Sequence, residues 1–169
     1  NDLLRSGITE TNPFEFMPAS EAATRVQHLI HSEPSHGCRI ISRESKPNVV
    51  IIILESWTAD IIEPLGGIKG VTPFFSELSK NGLLFNGVYS SGFRTDQGLT
   101  SILSGFPSIP NHSVIRYVSK TEKLPSLVRS FENENYNSSF FYGGEMEFAN
   151  MKNYLLQSGF NKTSGIEDY

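Results

Sequence analysis

Glu55 and Thr95 are the side chains whose type and setting could do chemistry. Glu55 closes the stretch PNVVIIILES, Pro47 to Ser56, in which Val49–Leu54 is unbroken apolar sequence that stops at a carboxylate. A β-branched run that is apolar at every position predicts a parallel strand covered on both faces. In open α/β sheets, ligands gather beyond the carboxyl ends of the strands, and Glu55 falls at that place. An unpaired buried charge is costly, so Glu55 requires a partner, either an Arg or Lys side chain or a metal ion.

Thr95 lies within SSGFRTDQGLTSILSGFP, Ser90 to Pro107. A turn rich in Gly and Ser delivers it to the predicted N-cap of a helix. Backbone N–H groups at such an end are unpaired, and the helix dipole adds partial positive charge, which suits a tetrahedral anion. A threonine there can simply cap the helix. It can also act as a nucleophile once a nearby cation lowers the pKa of its hydroxyl. No G-x-x-x-x-G-K-[ST] loop occurs, and EPLGGIKG, Glu63–Gly70, reads as a turn. A carboxylate ending one strand and a helix-start hydroxyl following the next can meet around one divalent metal ion.

The elements that must position this pair alternate between strand and helix from Asn48 onward. After the Val49–Leu54 strand, Thr72 and Pro73 predict a helix start and Gly82 its stop. Leu83–Tyr89 reads as a short strand. Asp96–Ser104 reads as a helix with Leu99, Ile102 and Leu103 on one face, ended by Gly105 and Pro107. Leu124–Asn133 carries an apolar face at Leu124, Leu127, Val128 and Phe131. Ser138–Tyr142 reads as a strand, and Glu147–Ser158 as a helix packing through Phe148, Met151 and Leu155 and stopping at Gly159. This alternation predicts an α/β fold, a largely parallel central sheet with helices on both faces. Residues 1–46 differ in texture, with one helical pattern at Ala19–Ile30, and read as a linker or approach segment to a domain over 47–169.

The 169 residues suit one domain or part of a larger one. Net charge is −4 with scattered basic residues, which argues against nucleic acid or an anionic membrane surface as partner. A single cysteine, Cys38, excludes a disulfide framework and a Cys-based zinc site, and is expected to be a packed small side chain. His28, His31 and His36 have no accompanying carboxylate pattern and are expected to be solvated. No apolar run reaches the ~18 residues of a membrane span. The start at Asn1, without Met or a signal peptide, reads as cut.

From Asn48 to Tyr169 these residues resemble the alkaline phosphatase superfamily, in particular sulfatases and their lipoteichoic-acid-synthase-like branch. PNVVIIILES resembles the opening strand of sulfatases, with Glu55 at the first acidic metal-ligand position. TPFFSELSKNGLLF resembles the T-P helix that follows, and FNGVYSSGFRT with GLTSILSGFP resembles the nucleophile phrase. In that pattern the nucleophile lies ten residues beyond the strand Phe and ten before the helix-ending Gly; from Phe85 and from Gly105, both counts reach Thr95. The competitor, Thr100 in GLT, would sit more than a turn inside the helix. Threonine as nucleophile resembles the phosphoglycerol and phosphoethanolamine transferases.

The resemblance implies a divalent metal ion (Mn, Mg or Zn) held by Glu55 and Thr95, with Asp96 and Gln97 near the substrate through their backbone N–H groups. It also implies an extracytoplasmic domain, at the periplasm or cell surface, anchored by a membrane segment absent from this chain. The substrate would be a small-molecule or lipid-linked phosphate or sulfate ester. Agreement is weaker at FYGGEMEFANMKNYL, where the branch carries His-Gly-Asp and Trp-Asn-Arg. Here Tyr142, Gly144, Ala149 and Met151 stand at the His, Asp, Trp and Arg positions while Asn150 remains, so a glycerol phosphate head group is not carried over. Tyr142, Glu145 and Asn150 are candidates for a different substrate pocket. The superfamily's downstream Asp-His pair is absent, and His112 reads as a loop residue, so the chain is expected to be the N-terminal part of the catalytic domain and to need a downstream half. Two other readings compete. One is arylsulfatase-like hydrolysis, which the missing C/S-x-P-S-R signature disfavours. The other is a non-catalytic binding module in which Glu55 pairs with a cation such as Arg94.

Overall fold

The protein is described by a computed structural model over residues 16–30 and 46–169. Two compact units divide the chain, residues 1–51 and 52–169. Within the first, α1 spans Ala19–Ile30 as its periodicity predicts. It carries an exposed Glu21–Arg25 pair at 2.8 Å, one turn apart. His28 is exposed, as expected. His31, His36 and Cys38 lie outside the described residues. No helix among the described residues is long and apolar enough to cross a membrane.

The second unit begins with extended chain and single turns. Glu63–Gly70 is a turn as expected: Gly66 and Gly70 take left-handed φ values of 92° and 76°. Gly67 lies so close to the preceding turn that a Cβ would stand 2.6 Å from the Ile62 nitrogen, a separation only glycine tolerates. Helix α2, Pro73–Lys80, starts with Thr72 at the N-cap and Pro73 in its first turn. The Thr72 hydroxyl does not cap the helix; it donates to Ile61 O at 3.0 Å and ties α2 to the turn before it. Gly82 is not the stop. The helix ends at Asn81, whose side chain donates to Glu77 O at 3.2 Å and whose N–H donates to Leu78 O.

Helix α3, Thr95–Ser104, buries Leu99 and Leu103 but leaves Ile102 45 % exposed. Gly105 ends it in the left-handed region at φ 62°, and the Phe106 N–H reaches back to Thr100 O at 3.2 Å. Two short helices follow, α4 at Val118–Thr121 and α5 at Leu127–Glu132. The apolar pattern from Leu124 overshoots the start of α5 by three residues. Pro125 disfavours helical backbone at Leu124, and Ser126 caps the helix by accepting the Arg129 N–H at 3.2 Å.

Strand β1, Ser139–Phe141, and strand β2, Lys162–Ser164, pair in parallel, Phe140 opposite Thr163. Helix α6, Met151–Ser158, connects them and stops at Gly159, φ 102°. A parallel pair needs such a crossover, so this β–α–β unit is the α/β centre of the described fold. The core behind it joins Leu99, Leu103, Ile115, Val128, Met146, Met151, Tyr154 and Leu155.

Two predicted strands are corrected. Val49–Leu54 and Leu83–Tyr89 carry no strand pairing among the described residues, and their apolar side chains are exposed, Val50 to 81 % and Val88 to 76 %. The apolar pattern predicted the side-chain environment of a buried strand. A strand also needs a neighbour's N–H and C=O groups, and no described residue supplies them.

Tyr154 is the most demanding polar group of the core. Its hydroxyl meets Ser104 Oγ at 2.7 Å. Burial pushes its pKa above the ordinary 10.0, against an opposing effect of its hydrogen bond to Ser104. A raised folded-state pKa means that this stabilisation is complete below the unfolded value and is lost as pH climbs through it toward the folded one. Thermal melts should therefore show a midpoint that falls above pH 10, and Tyr154→Phe should flatten that alkaline decline. An unchanged decline in Tyr154→Phe would assign it to other groups.

Candidate active site

Glu55 and Thr95 come together. The Thr95 hydroxyl donates to Glu55 Oε2 at 3.1 Å. On the Glu55 side, the extended run ends in a sharp turn because Ser56 takes φ 57°, an uncommon conformation for a residue with a Cβ. On the Thr95 side, Arg94 rather than Thr95 is the N-cap, and Thr95 is the first residue of α3. The loop before it is braced onto the helix: Ser91 Oγ lies 2.5 Å from Ser101 Oγ and 3.3 Å from Ser108 Oγ. Gly92 sits where a Cβ would meet the Gln97 side chain at 2.8 Å. These serines and Gly92 position the threonine, and nothing in their spacing announced it beyond a turn-like composition.

Two hollows meet at Glu55, Thr95 and Phe148. One, of about 310 Å³, adds Phe93, Arg94, Asp96 and Arg116. The other, of about 330 Å³, adds Tyr142 and Glu145. Tyr142 is held there by Gly144, where a Cβ would stand 2.7 Å from the tyrosine ring. Tyr142 and Glu145 thus share a hollow with Glu55 and Thr95.

Other expected site residues are placed elsewhere. Asn150 lines neither hollow: its side-chain amide donates to Ile115 O at 2.9 Å and its oxygen accepts from Asn153 at 2.5 Å. It occupies a kink with Ala149, both in left-handed backbone, between the single turn Phe148–Asn150 and α6. Gln97 is buried, and its side chain donates to Ile109 O and His112 O. Its backbone N–H, expected to face an anion, is already engaged by Arg94 O at 3.1 Å and Asp96 Oδ1 at 3.0 Å. The N–H groups of Thr95 and Asp96 are the ones the helix start leaves open among the described residues. Thr100, the rival threonine, is buried and its hydroxyl donates back to Asp96 O and Gln97 O. Glu55 forms no ion pair with Arg94; the Arg94 guanidinium lies 5.4 Å from the Phe93 ring centre. Arg116 and Phe93 were missed as cleft residues, because a lone Arg in a loop and a single exposed ring carry no pattern, and Phe148, expected on the packing face of a helix from Glu147, is exposed and lines both hollows instead.

The donor set can be tested for a metal ion. Two oxygens held side by side by a small divalent ion at about 2.1 Å each stand about 3 Å apart, close to the Glu55–Thr95 separation. Carboxylate and hydroxyl are also hard donors suited to such ions. Among the described residues, no three His, Cys, Asp or Glu side chains gather as a cage. Glu55 and Thr95 therefore fit as two ligands of a larger set.

A family model described as Sulfatase matches residues 47–169, the stretch that holds every one of these groups. The chain belongs to the sulfatase family. Among solved structures, this sulfatase-family chain is similar to a protein of the alkaline phosphatase superfamily from Vibrio parahaemolyticus, with 30 % identity and a TM-score of 0.62. That match covers 68 % of this chain and 28 % of the Vibrio protein. The chain also matches the lipoteichoic acid synthase LtaP from Listeria monocytogenes at 16 % identity and a TM-score of 0.40, over 44 % of this chain and 18 % of that one. The chain thus spans less than a third of each solved relative.

Proposed function

We propose that this sulfatase-family chain carries the nucleophile of an enzyme that transfers or hydrolyses a phosphoryl-linked group. The substrate would be a small-molecule or lipid-linked phosphate ester, handled by a domain outside the cytoplasm and anchored to the membrane by a segment beyond this chain. The observation that carries the reading is the 3.1 Å hydrogen bond from the Thr95 hydroxyl to Glu55, made inside a cleft. It supports a threonine nucleophile because the carboxylate can take up the hydroxyl hydrogen while the oxygen faces the hollow.

Thr95 Oγ attacks phosphorus, the bond to the leaving oxygen breaks, and that oxygen leaves with a proton. Water or an acceptor hydroxyl then cleaves the resulting threonine ester and regenerates the hydroxyl. The open N–H groups of Thr95 and Asp96 at the start of α3 lie where an anionic phosphoryl group gains from the helix end. Glu55 and Thr95, with ligands from elsewhere in the protein, would hold a divalent ion, which would lower the pKa of the Thr95 hydroxyl and offset negative charge on the substrate.

Glu55→Gln should lower the divalent metal content of the full-length protein, measured by elemental analysis after purification. Removing one anionic ligand should weaken affinity by at least the roughly ten- to hundredfold that loss of an outer-shell partner costs a metal site. Metal content equal to wild type would remove Glu55 from the ligand set.

A further inference from the structure

Resting on the reading of Thr95 as a phosphoryl acceptor, we propose that Arg116, together with Arg94, is the substrate-binding pair of this site and grips the non-bridging oxygens of the phosphate ester. The two arginines belong to separate elements yet both line the same hollow of about 310 Å³ beside Thr95, the Arg94 guanidinium lying over the ring of Phe93, which lines it too. Neither forms an ion pair with a carboxylate among the described residues, although the exposed ion pairs elsewhere in this unit, Lys80–Glu77 and Lys152–Glu147, each close at 3.0 Å.

The arginine is also held rigidly from below. Arg116 ends a single turn, Val114–Arg116, whose middle residue, Ile115, is fully buried. The carbonyl of Ile115 accepts from Asn150 at 2.9 Å, so the turn is anchored on both its side chain and its backbone. This gives Asn150 a positioning role in place of direct contact with the cleft.

Two carboxylates face the same hollow and bear on its charge. Asp96 is buried, and its Oδ1 already accepts the Gln97 N–H at 3.0 Å. Glu55 accepts the Thr95 hydroxyl. Both acids thus have donors of their own, whereas the guanidinium forks remain available to an incoming anion. The neighbouring hollow has the opposite character, with Glu145 and Glu55 and no basic residue. The site is therefore polarised across Thr95, and an anion is drawn to the arginine side. A planar guanidinium engages phosphate oxygens two at a time, which an ammonium cannot reproduce. The exposed Phe93 and Phe148 rings supply an apolar wall for the organic part of the ester.

The test uses the full-length protein and two readouts. Binding of inorganic phosphate to chelator-treated protein is followed by calorimetry, and turnover of bis(4-nitrophenyl) phosphate is followed with metal present. Arg116→Gln should weaken phosphate roughly ten- to hundredfold, the loss of a charge-assisted bidentate contact. Arg116→Lys should fall between Gln and wild type, and KM for the diester should rise more than kcat falls. Arg116 is exposed, so both variants should melt with wild type. Were Arg116→Gln to destabilise the fold, the Lys variant alone would still decide through its phosphate affinity. Phosphate affinity equal to wild type in both variants, or no phosphate binding by the wild type, overturns the assignment. Thr95→Ala in parallel separates the two ideas. Turnover that survives it defeats the threonine reading, whereas loss of turnover with unchanged phosphate affinity in the Arg116 variants defeats the arginine pair alone.

Discussion

Replacing Thr95 by alanine in the full-length protein should abolish turnover, by roughly a thousandfold or more, because the proposed reaction loses its nucleophile. The fold should tolerate the change. Thr95 is only half-buried, stands at the first position of α3, and contributes one hydrogen bond, to Glu55. Losing that bond costs about 1 kcal/mol, and alanine is the better helix former. Thr100→Ala is the matched contrast. Its hydroxyl is buried against carbonyls of its own helix, so its removal should affect stability slightly and turnover little. Steady-state rates with a phosphate diester, and mass spectrometry for a phosphate retained on Thr95 in trapped wild-type protein, check the expectation. Turnover that persists in Thr95→Ala and vanishes in Thr100→Ala would reassign the nucleophile.

How far the sequence reached can be judged at individual residues. Helices with punctuation at their ends were readable: Thr72-Pro73 opens α2, and Gly105 and Gly159 close α3 and α6 in left-handed backbone. Such signals are local, and so they survive whatever surrounds them. Pairing is not local. Val49–Leu54 has the composition of a buried strand but no neighbour among the described residues, whereas Lys162–Ser164 has polar residues and pairs with β1 because α6 returns the chain to it. Proximity across the sequence was legible only where two chemical types demanded each other, as Glu55 and Thr95 did. Tyr142 and Glu145 reached the cleft because they flank the end of β1. Asn150 stood in the same stretch yet turned to Ile115, since the kink at Ala149 and Asn150 redirects it. Arg116 had no sequence signal at all, because its place at the cleft comes with Ile115, one residue earlier, being drawn into the core.

That connection makes Ile115→Ala the most informative core substitution. Ile115 is fully buried and belongs to the cluster with Leu99, Leu103, Val128, Met146, Met151, Tyr154 and Leu155, a core that draws on α3, α5 and α6. Truncation removes apolar contacts and leaves a cavity that close-packed neighbours fill only in part, which costs about 2–5 kcal/mol. For a unit of this size the melting midpoint should fall by roughly 10 °C or more. Ile115→Val keeps most of the volume and should cost only about 0.5–1.5 kcal/mol. The functional effect follows from the same packing. The turn that carries Arg116 keeps its hydrogen bond from Asn150 but loses its apolar anchor, so phosphate should bind more weakly to Ile115→Ala even at temperatures where it remains folded. Calorimetric melts and phosphate titrations at low temperature measure the two effects separately. A variant that melts with wild type would show that Ile115 does not hold the core. One that melts early but binds phosphate normally would show that the position of Arg116 is set by Asn150 alone.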